Sequence, residues 1–484
     1  MPAGGEPVPG AVLRNPRPGR PQGHGASGPG GGGTSPRDPP WAHDPVARGT
    51  AVTGWEDRLL FLFDYLFGAG FDRTLRLFWH FFFLDFPRYL VTDVLLIAYL
   101  WLYRPVRPRP ADDDAFGGRN PLVSVVIPVL NEEDTIFRTV ESLQDQTYRP
   151  IEIVLVDDGS TDRTPEVCAE IQKRFPNVRF FRNVEREGKS PALNLGAGYA
   201  KGEVFVFVDS DTTFDRDAIA HLVNHLRDPR VGCVAGNVRV RNPRENLLTE
   251  LQNMEYGFAI AVGRRIRAAM GTLPIVSGAF GAFRREVFEA VGGYDPGPGN
   301  DSDLTAKFRK LGYRVSFAPE AICMTNVPTR LSALFRQRRR WARNLAKNRI
   351  FKHGDVFSPF RAVWRPENAV SSADSVFFHV VLAFTSLAYL IDMVLHYPSI
   401  LPWVILGNYV LYFLAEVFEA AVMIGFSERP DMDARSLVYL PLFNLYKRLL
   451  KFARVSGYLE EILFKGSYRD PFAPAKVRPR MDRW

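Results

Sequence analysis

The chain has 484 residues, 46% of them hydrophobic and 24% charged, with a formal net charge of +8. That length exceeds one ordinary domain, and the near-zero mean hydropathy averages a Gly/Pro/Arg-rich head against apolar stretches near both ends, so the chain reads as a membrane protein with a soluble module. Three separated cysteines, Cys168, Cys233 and Cys323, exclude a disulfide framework and a thiolate zinc site, and the excess of Lys and Arg is assigned to cytoplasmic segments beside membrane spans, not to a nucleic-acid partner.

Residues 1–54 are rich in Gly, Pro, Arg and Ser, including the run Gly30 to Gly33, and hold too little apolar surface to fold. No signal-peptide pattern stands in this head, so insertion is assigned to internal segments. Residues 55–110 form the first apolar region. Its best spanning candidate ends in VTDVLLIAYLWLY, and the aromatic stretch 75–86 either lies in the interface or makes a further pass. Arg104, Arg107 and Arg109 follow and put what comes next on the cytoplasmic side.

From residue 111 to 350 the pattern is that of a soluble α/β domain. LVSVVIPVL, IEIVLVDDG, VRFFRN and EVFVFVDSD read as strands, separated by helical stretches that include TPEVCAEIQKRF and SPALNLGAGYA. Such alternation predicts a parallel sheet of βαβ units. Thr164-Pro165 and Ser190-Pro191 each place a capping hydroxyl before a proline, marking helix starts.

Residues 351–470 carry two spanning candidates, 376–395 and 400–426, joined by the turn-like HYPS. A third stretch, 437–464, contains Lys447, Arg448, Lys451 and Arg454. A charge at the bilayer centre costs about 2.5–3.5 kcal/mol, so this stretch reads as an interfacial amphipathic helix. Two passes then return the basic tail, 471–484, to the cytoplasm. Glu416 and Glu419, inside the second span, are candidates to face a channel.

Ligands of an open parallel sheet bind beyond the carboxyl ends of its strands. Pro128, Asn131 and Glu132 follow the first strand, Asp157 and Asp158 the second, Asp209 and Asp211 the last. Carboxylates accept hydrogen bonds from a base imide or ribose hydroxyls. Asp209 and Asp211, at i and i+2 of an extended segment, would point the same way and suit Mg²⁺ or Mn²⁺ gripping a diphosphate. Lys189 precedes a helix start, itself an anion site, and could reach the same diphosphate. Its GKS is not a phosphate-binding loop of the Walker type, because Asn183 stands where the first glycine is required. His221 and His225 have metal-like spacing without a third ligand and read as a solvated helix face.

PVLNEE, VDDGSTD, REGKSPALN, DSD, SGAFGAFRR, NDSD and QRRRW, in that order between membrane spans, resemble an inverting family 2 glycosyltransferase, and in particular the membrane-bound processive synthases of poly-N-acetylglucosamine, chitin, hyaluronan and cellulose. The resemblance covers residue 57 to the end, with its specific motifs between Leu122 and Trp341. It implies a GT-A type nucleotide-sugar transferase domain, with a Rossmann-like mixed sheet, plus transmembrane helices. It also implies a UDP-sugar donor, a divalent metal, and a catalytic domain on the cytoplasmic side of a bacterial-type inner or plasma membrane. Carried over to this chain, Pro128, Glu132, Asp157, Asp158, Lys189 and Asp209 would bind the donor and Asp209 and Asp211 the metal, with Asp301 as general base. Ser277 and Gly278 would border the acceptor, and Gln337, Arg340 and Trp341 match Gln-x-x-Arg-Trp, with arginine on the diphosphate and tryptophan stacked on the acceptor sugar. The remaining arginines, Arg336, Arg338, Arg339 and Arg343, read as a surface attracted to anionic lipid. Asn300 departs from the acidic residue relatives often carry there, and Asp303 is a runner-up base. The expected activity is transfer onto a growing β-linked polysaccharide coupled to export. The alternative is single transfer onto a membrane lipid. Which sugar is moved has no signature in these motifs.

Overall fold

The computed structural model describes residues 71–87, Val94, Ala98, 114–470 and 473–481, all within the unit Ala69–Trp484. The tail expected over 1–54, the span candidate that precedes Arg104, Arg107 and Arg109, and both ends of the basic tail lie outside the described residues.

Eight strands form one mixed sheet in the order β3-β2-β1-β4-β7-β6-β8-β5. The strands β1 (Val123–Val129), β2 (Ile151–Asp157), β3 (Val178–Arg182) and β4 (Val204–Val208) pair in parallel. Runs such as VFVFV are apolar at every position because helices cover both faces of a parallel sheet, and β4 is buried throughout. β7 (Phe280–Arg284) lies antiparallel between β4 and β6 (Val231–Val240). β8 (Arg314–Thr325) runs parallel to β6, and β5 (Thr213–Phe214) closes the edge antiparallel to β8. The α/β fold expected from the alternation is present, with the antiparallel half added after β4.

The short helix α1 (Phe71–Leu77) precedes the domain, and α2 (Ile136–Gln144), α3 (Thr164–Arg174) and α4 (Lys189–Tyr199) connect the parallel strands. Then come α5 (Ala218–Leu226), α6 (Leu247–Tyr256), α7 (Asn300–Lys310) and α8 (Leu331–Ala346). The helix starts fall one residue (α3) and two residues (α4) before expectation. Arg163 and Gly188 occupy the cap positions without a side-chain cap bond. Thr164 instead accepts the Glu132 amide at 2.8 Å, so its hydroxyl joins two loops rather than closing its own helix.

Strand order reverses between β1 and β4, the place where such sheets leave a crevice. β1 stays paired with β2 as far as Val129, whereas its ladder with β4 ends at Val126. Pro128, which has no amide to donate, sits where β4 has already parted from β1. The strands splay there, and the loops bearing Glu132 and Asp209 open onto the gap.

Two helices are long and apolar enough to cross a membrane, Pro366–His396 and Leu401–Phe426. The first comprises α9 (Pro366–Val376), a π-turn and α10 (Leu382–His396); the second is α11. Leu395, Ile405 and Leu414 on them are exposed. Residues 71–87 pack against this pair: Tyr389 donates to the Leu77 carbonyl at 2.6 Å, Tyr412 donates to Asp85, and Phe81 meets Tyr412 edge to face. Phe78, His80, Phe81 and Asp85 of the aromatic stretch are buried, whereas Phe83 and Phe86 are exposed.

The last long helix, α12 (Leu440–Phe464), carries the four basic residues of the stretch expected to lie in the interface. Lys447 reaches Glu416 at 2.8 Å, Arg448 lies over the Tyr412 ring, Lys451 donates to Ser386 at 2.9 Å, and Arg454 reaches Glu255 at 3.2 Å. The basic side faces protein partners, and Leu445, Phe452 and Leu463 are exposed. Lys447, Lys451 and Arg454 are half-buried and Arg448 is exposed, so each keeps contact with solvent while meeting a partner on a neighbouring helix. Glu416 is correspondingly an interhelical ion-pair member, not a free carboxylate facing a channel.

Candidate active site

Asp157 and Asp158 end β2 fully buried. Asp157 accepts the Ser160 amide at 3.1 Å and pairs with Arg182 at 3.1 Å. Asp158 accepts the amides of Glu187 and Gly188 at 2.8 and 2.7 Å, and the Asn183 side chain at 3.2 Å. These bonds tie the loop 183–188 to the sheet and deliver Lys189 to the crevice. Residues 473–481 return to the same mouth, where Lys476 pairs with Glu185 at 2.9 Å.

Asp209 and Asp211 follow β4 in a turn, not in the extended segment expected of DSD. The turn forms because Thr212 folds back: its hydroxyl donates to the Asp209 carbonyl at 2.7 Å, and Thr139 donates to the Ser210 carbonyl at 2.7 Å. Lys189 Nζ lies 2.5 Å from Asp209 Oδ1. Burial works against the ammonium, but Asp209 and Asp301 more than reverse it and raise its pKa. Burial, then the charges of Asp209 and Glu132, push the Asp211 carboxyl up to about 6. Three acidic groups thus crowd the site, and Arg241 offsets part of the rise at Asp211.

Asp301 enters this crevice from the first turn of α7, following Gly299. Burial raises its carboxyl above the usual range, Asp209 adds to the rise, and Lys189, the Gly278 amide and Arg340 offset part of it. Its Oδ1 is buried without a hydrogen-bond partner. A Cβ at Gly278 would stand 2.4 Å from that same oxygen, so the Ser277-Gly278 turn comes this close only because it has no side chain there. Asn348 holds the preceding turn through the Gly299 carbonyl at 2.7 Å. Asp303, the runner-up base, is committed elsewhere: His353 at 2.8 Å and Lys352 at 2.9 Å overcome its burial and hold it well below the usual carboxylate range.

Helix α8 brings the QRRRW motif to the same mouth. Burial lowers the pKa of Arg340, which interacts with Asp470, Asp209 and Asp301. Trp341 is 43% exposed. Of the surrounding arginines, Arg338 and Arg343 are turned into the protein, Arg338 paired with Glu255 and Arg343 with Glu460 and Asp470, whereas Arg339, paired with Glu460, stays exposed. Arg336 is exposed as well.

Residues 124–292 match the family model described as glycosyl transferase family 2. The chain carries a family 2 glycosyltransferase domain. Over 222 residues it is 32% identical to the poly-beta-1,6-N-acetyl-D-glucosamine synthase of Staphylococcus aureus, an alignment covering 46% of this chain and 53% of that protein. Identity to the synthase of the same name from Staphylococcus epidermidis is 31%, with the same coverage. The chain spans about half the length of the curated relatives it matches. Among solved structures, the mannosyltransferase PcManGT from Pyrobaculum calidifontis, in complex with GDP-Man and Mn²⁺, superposes with a TM-score of 0.57, covering 78% of this chain and 97% of that one. At 22% sequence identity this likeness shows the fold alone.

Lys189, Asp209, Asp211 and Gly278, within the matched residues, and Asp301 and Arg340, beyond them, lie within one electrostatic neighbourhood, and Glu132 joins it through Asp211. Asp157 and Asp158 are engaged in the bonds that hold the adjacent wall. Among the described residues no group of three His, Cys, Asp or Glu stands in metal-holding geometry. The donors near Asp211 are nevertheless hard oxygens, the type a divalent ion prefers. No motif marked Tyr294, whose buried phenol is kept protonated by its burial and by the charges of Asp301 and Asp209. The signal for it is tertiary: it lies in no acidic turn, and its amide is fixed by Asn194 from a distant helix.

Proposed function

We propose that this glycosyltransferase moves a sugar from a UDP-sugar onto a growing β-linked polysaccharide, inverting the anomeric carbon. We further propose that it does so from a cytoplasmic domain anchored in a bacterial-type inner or plasma membrane, and that the chain is exported through its spans. The observation that carries the reading is the Asp301 carboxyl, raised by burial and set beside Asp209, Lys189 and Arg340. A base with a raised pKa takes a hydroxyl proton more readily near neutral pH. The acceptor oxygen forms its bond to the anomeric carbon as the bond from that carbon to the diphosphate breaks, and the acceptor proton passes to Asp301. Lys189 and Arg340 supply positive charge where the departing diphosphate gathers negative charge. Asp209 and Asp211, with Glu132 nearby, would hold a Mg²⁺ or Mn²⁺ ion; such an ion neutralises a leaving diphosphate. Ser277, Gly278, Gln337 and Trp341 border the acceptor in this reading, and Pro128, Asp157 and Asp158 the nucleoside. The exposed apolar sides of α10, α11 and α12 support a lipid surround.

The test is product length. Purified full-length protein in lipid is incubated with labelled UDP-N-acetylglucosamine, other UDP-sugars, and GDP-mannose, the donor type held by the fold neighbour. High-mass, glycosidase-sensitive polymer from a UDP-sugar is expected. A lipid-extractable product carrying one sugar would replace the polymer with the lipid acceptor, and transfer from GDP-mannose alone would overturn the donor.

A further inference from the structure

The two residues between Gln337 and Arg340 have no role in the motif reading, yet one of them is among the most buried large side chains described. Arg338 is 1% exposed, although its sequence neighbours Gln337, Arg339 and Trp341 all reach solvent. Three contacts account for its position. Its guanidinium carbon lies 4.2 Å from the centroid of the Trp341 ring. One terminal nitrogen donates to the Gln337 side-chain oxygen at 2.9 Å, and the other to Glu255 at 2.6 Å.

Glu255, at the end of α6, is the fixed point of this group. It also accepts the Tyr446 hydroxyl at 2.6 Å and Arg454 at 3.2 Å, both from α12. Burial alone would raise its carboxyl, and Arg338 and Arg454 more than reverse that, so it stays charged opposite the guanidinium. An ionised carboxylate holding a planar guanidinium at this distance fixes both position and tilt. A guanidinium over an indole face leaves only the opposite face for a ligand, and Trp341 keeps 43% of its surface open.

We propose that Arg338, locked by Glu255, is the positioning residue of the acceptor site: it braces one face of Trp341 and the amide of Gln337 so that the open indole face meets the terminal sugar of the acceptor. The proposal rests on the acceptor role assigned to Trp341 above. It adds that the acceptor platform is assembled across three helices, α6, α8 and α12, and that the side chain conferring its orientation touches no substrate. Acceptor affinity therefore depends on a carboxylate from α6, a helix outside the motif.

Steady-state kinetics of the full-length protein in lipid test this, with a short β-1,6-linked N-acetylglucosamine oligosaccharide as acceptor and UDP titration as the donor-site control. Trp341→Ala is expected to raise the acceptor KM and leave UDP affinity unchanged; no change in acceptor KM would remove the acceptor role of Trp341, and the proposal with it. Arg338→Lys keeps the charge but loses the planar stack. It is expected to raise the acceptor KM about tenfold, the size of a desolvated cation–π contact, again at constant UDP affinity and thermal midpoint. Glu255→Gln should shift acceptor KM in the same direction. Combining Arg338→Lys with Trp341→Ala should do no further harm than Trp341→Ala alone, because both act through one ring. Additive losses, or a parallel fall in UDP affinity, would show that Arg338 only supports the fold; an unchanged acceptor KM in Arg338→Lys while Trp341→Ala raises it would overturn the positioning role and leave the Trp341 reading standing.

Discussion

Gly278 and Asp211 carry the sharpest consequences for single side chains. A methyl at Gly278 would meet Asp301 Oδ1 at 2.4 Å, a separation the carboxylate can escape only by turning out of the crevice. Gly278→Ala is expected to cut turnover by about 100-fold, the scale of an ångström-sized displacement of a reacting group, with little change in thermal midpoint; activity near wild type would mean that Asp301 works from another position. Asp211 predicts a pH dependence. Its folded pKa is raised to about 6 from an ordinary 3.8, so the folded state favours the protonated form. The stability this adds to the cation-free protein is complete below 3.8 and is lost as pH rises through about 6. Cation binding needs the anion and has the opposite sign. The rise in thermal midpoint caused by Mn²⁺ should therefore shrink as pH falls through about 6, which differential scanning fluorimetry at a series of pH values would read. The acidic residues themselves were legible in the sequence, because carboxylates at strand ends announce a ligand site. What each carboxylate bonds to was not. Asp303 looks as available in the sequence as Asp301, and only the side chains of Lys352 and His353 distinguish them.

Among the helices, the pairing of α8 with α12 has the most to say. A Cβ at Gly457 would lie 2.5 Å from the Arg339 carbonyl and 2.8 Å from the Ala342 Cβ, so the two helices touch backbone to backbone at that point. Gly457→Val is expected to force them apart at a cost of about 1–3 kcal/mol, the range for overpacking a tight contact. The change should appear as a lower thermal midpoint, accompanied by a raised acceptor KM, since Tyr446 and Arg454 of α12 hold Glu255. The helix α12 itself shows where patterning fails. Its four basic residues amid leucines predicted an interfacial amphipathic helix, without saying what those residues would meet. Lys447, Lys451 and Arg454 meet Glu416, Ser386 and Glu255, and no helical period in α12 encodes what its neighbours present. By contrast, β1 to β4 and their connecting helices were readable, since period and β-branched content are local properties of each segment.

At the scale of the whole molecule, the two membrane-length helices and the loop between them give the proposed orientation a direct test. Two passes put residues on either side of the pair in one compartment and the link Tyr397–Ser399 in the other. A cysteine introduced as Ser399→Cys should be labelled by an impermeant thiol reagent from outside intact cells, and one introduced as Ser358→Cys only after permeabilisation; labelling of both from the same side would overturn the two-pass arrangement. The native thiols would not interfere, because Cys168, Cys233 and Cys323 are buried. The amino-acid sequence by itself determined the alternating βα order, the strand-end placement of the acidic turns and the two apolar spans, since each follows from local hydrophobic period and residue type. Tertiary structure alone decided the antiparallel insertion of β7, the commitment of Asp303 to Lys352 and His353, the partners of the α12 charges and the burial of Arg338 against Trp341. Those outcomes depend on charges and amides brought together from distant segments, and a charge in a sequence carries no mark of the partner that will neutralise it.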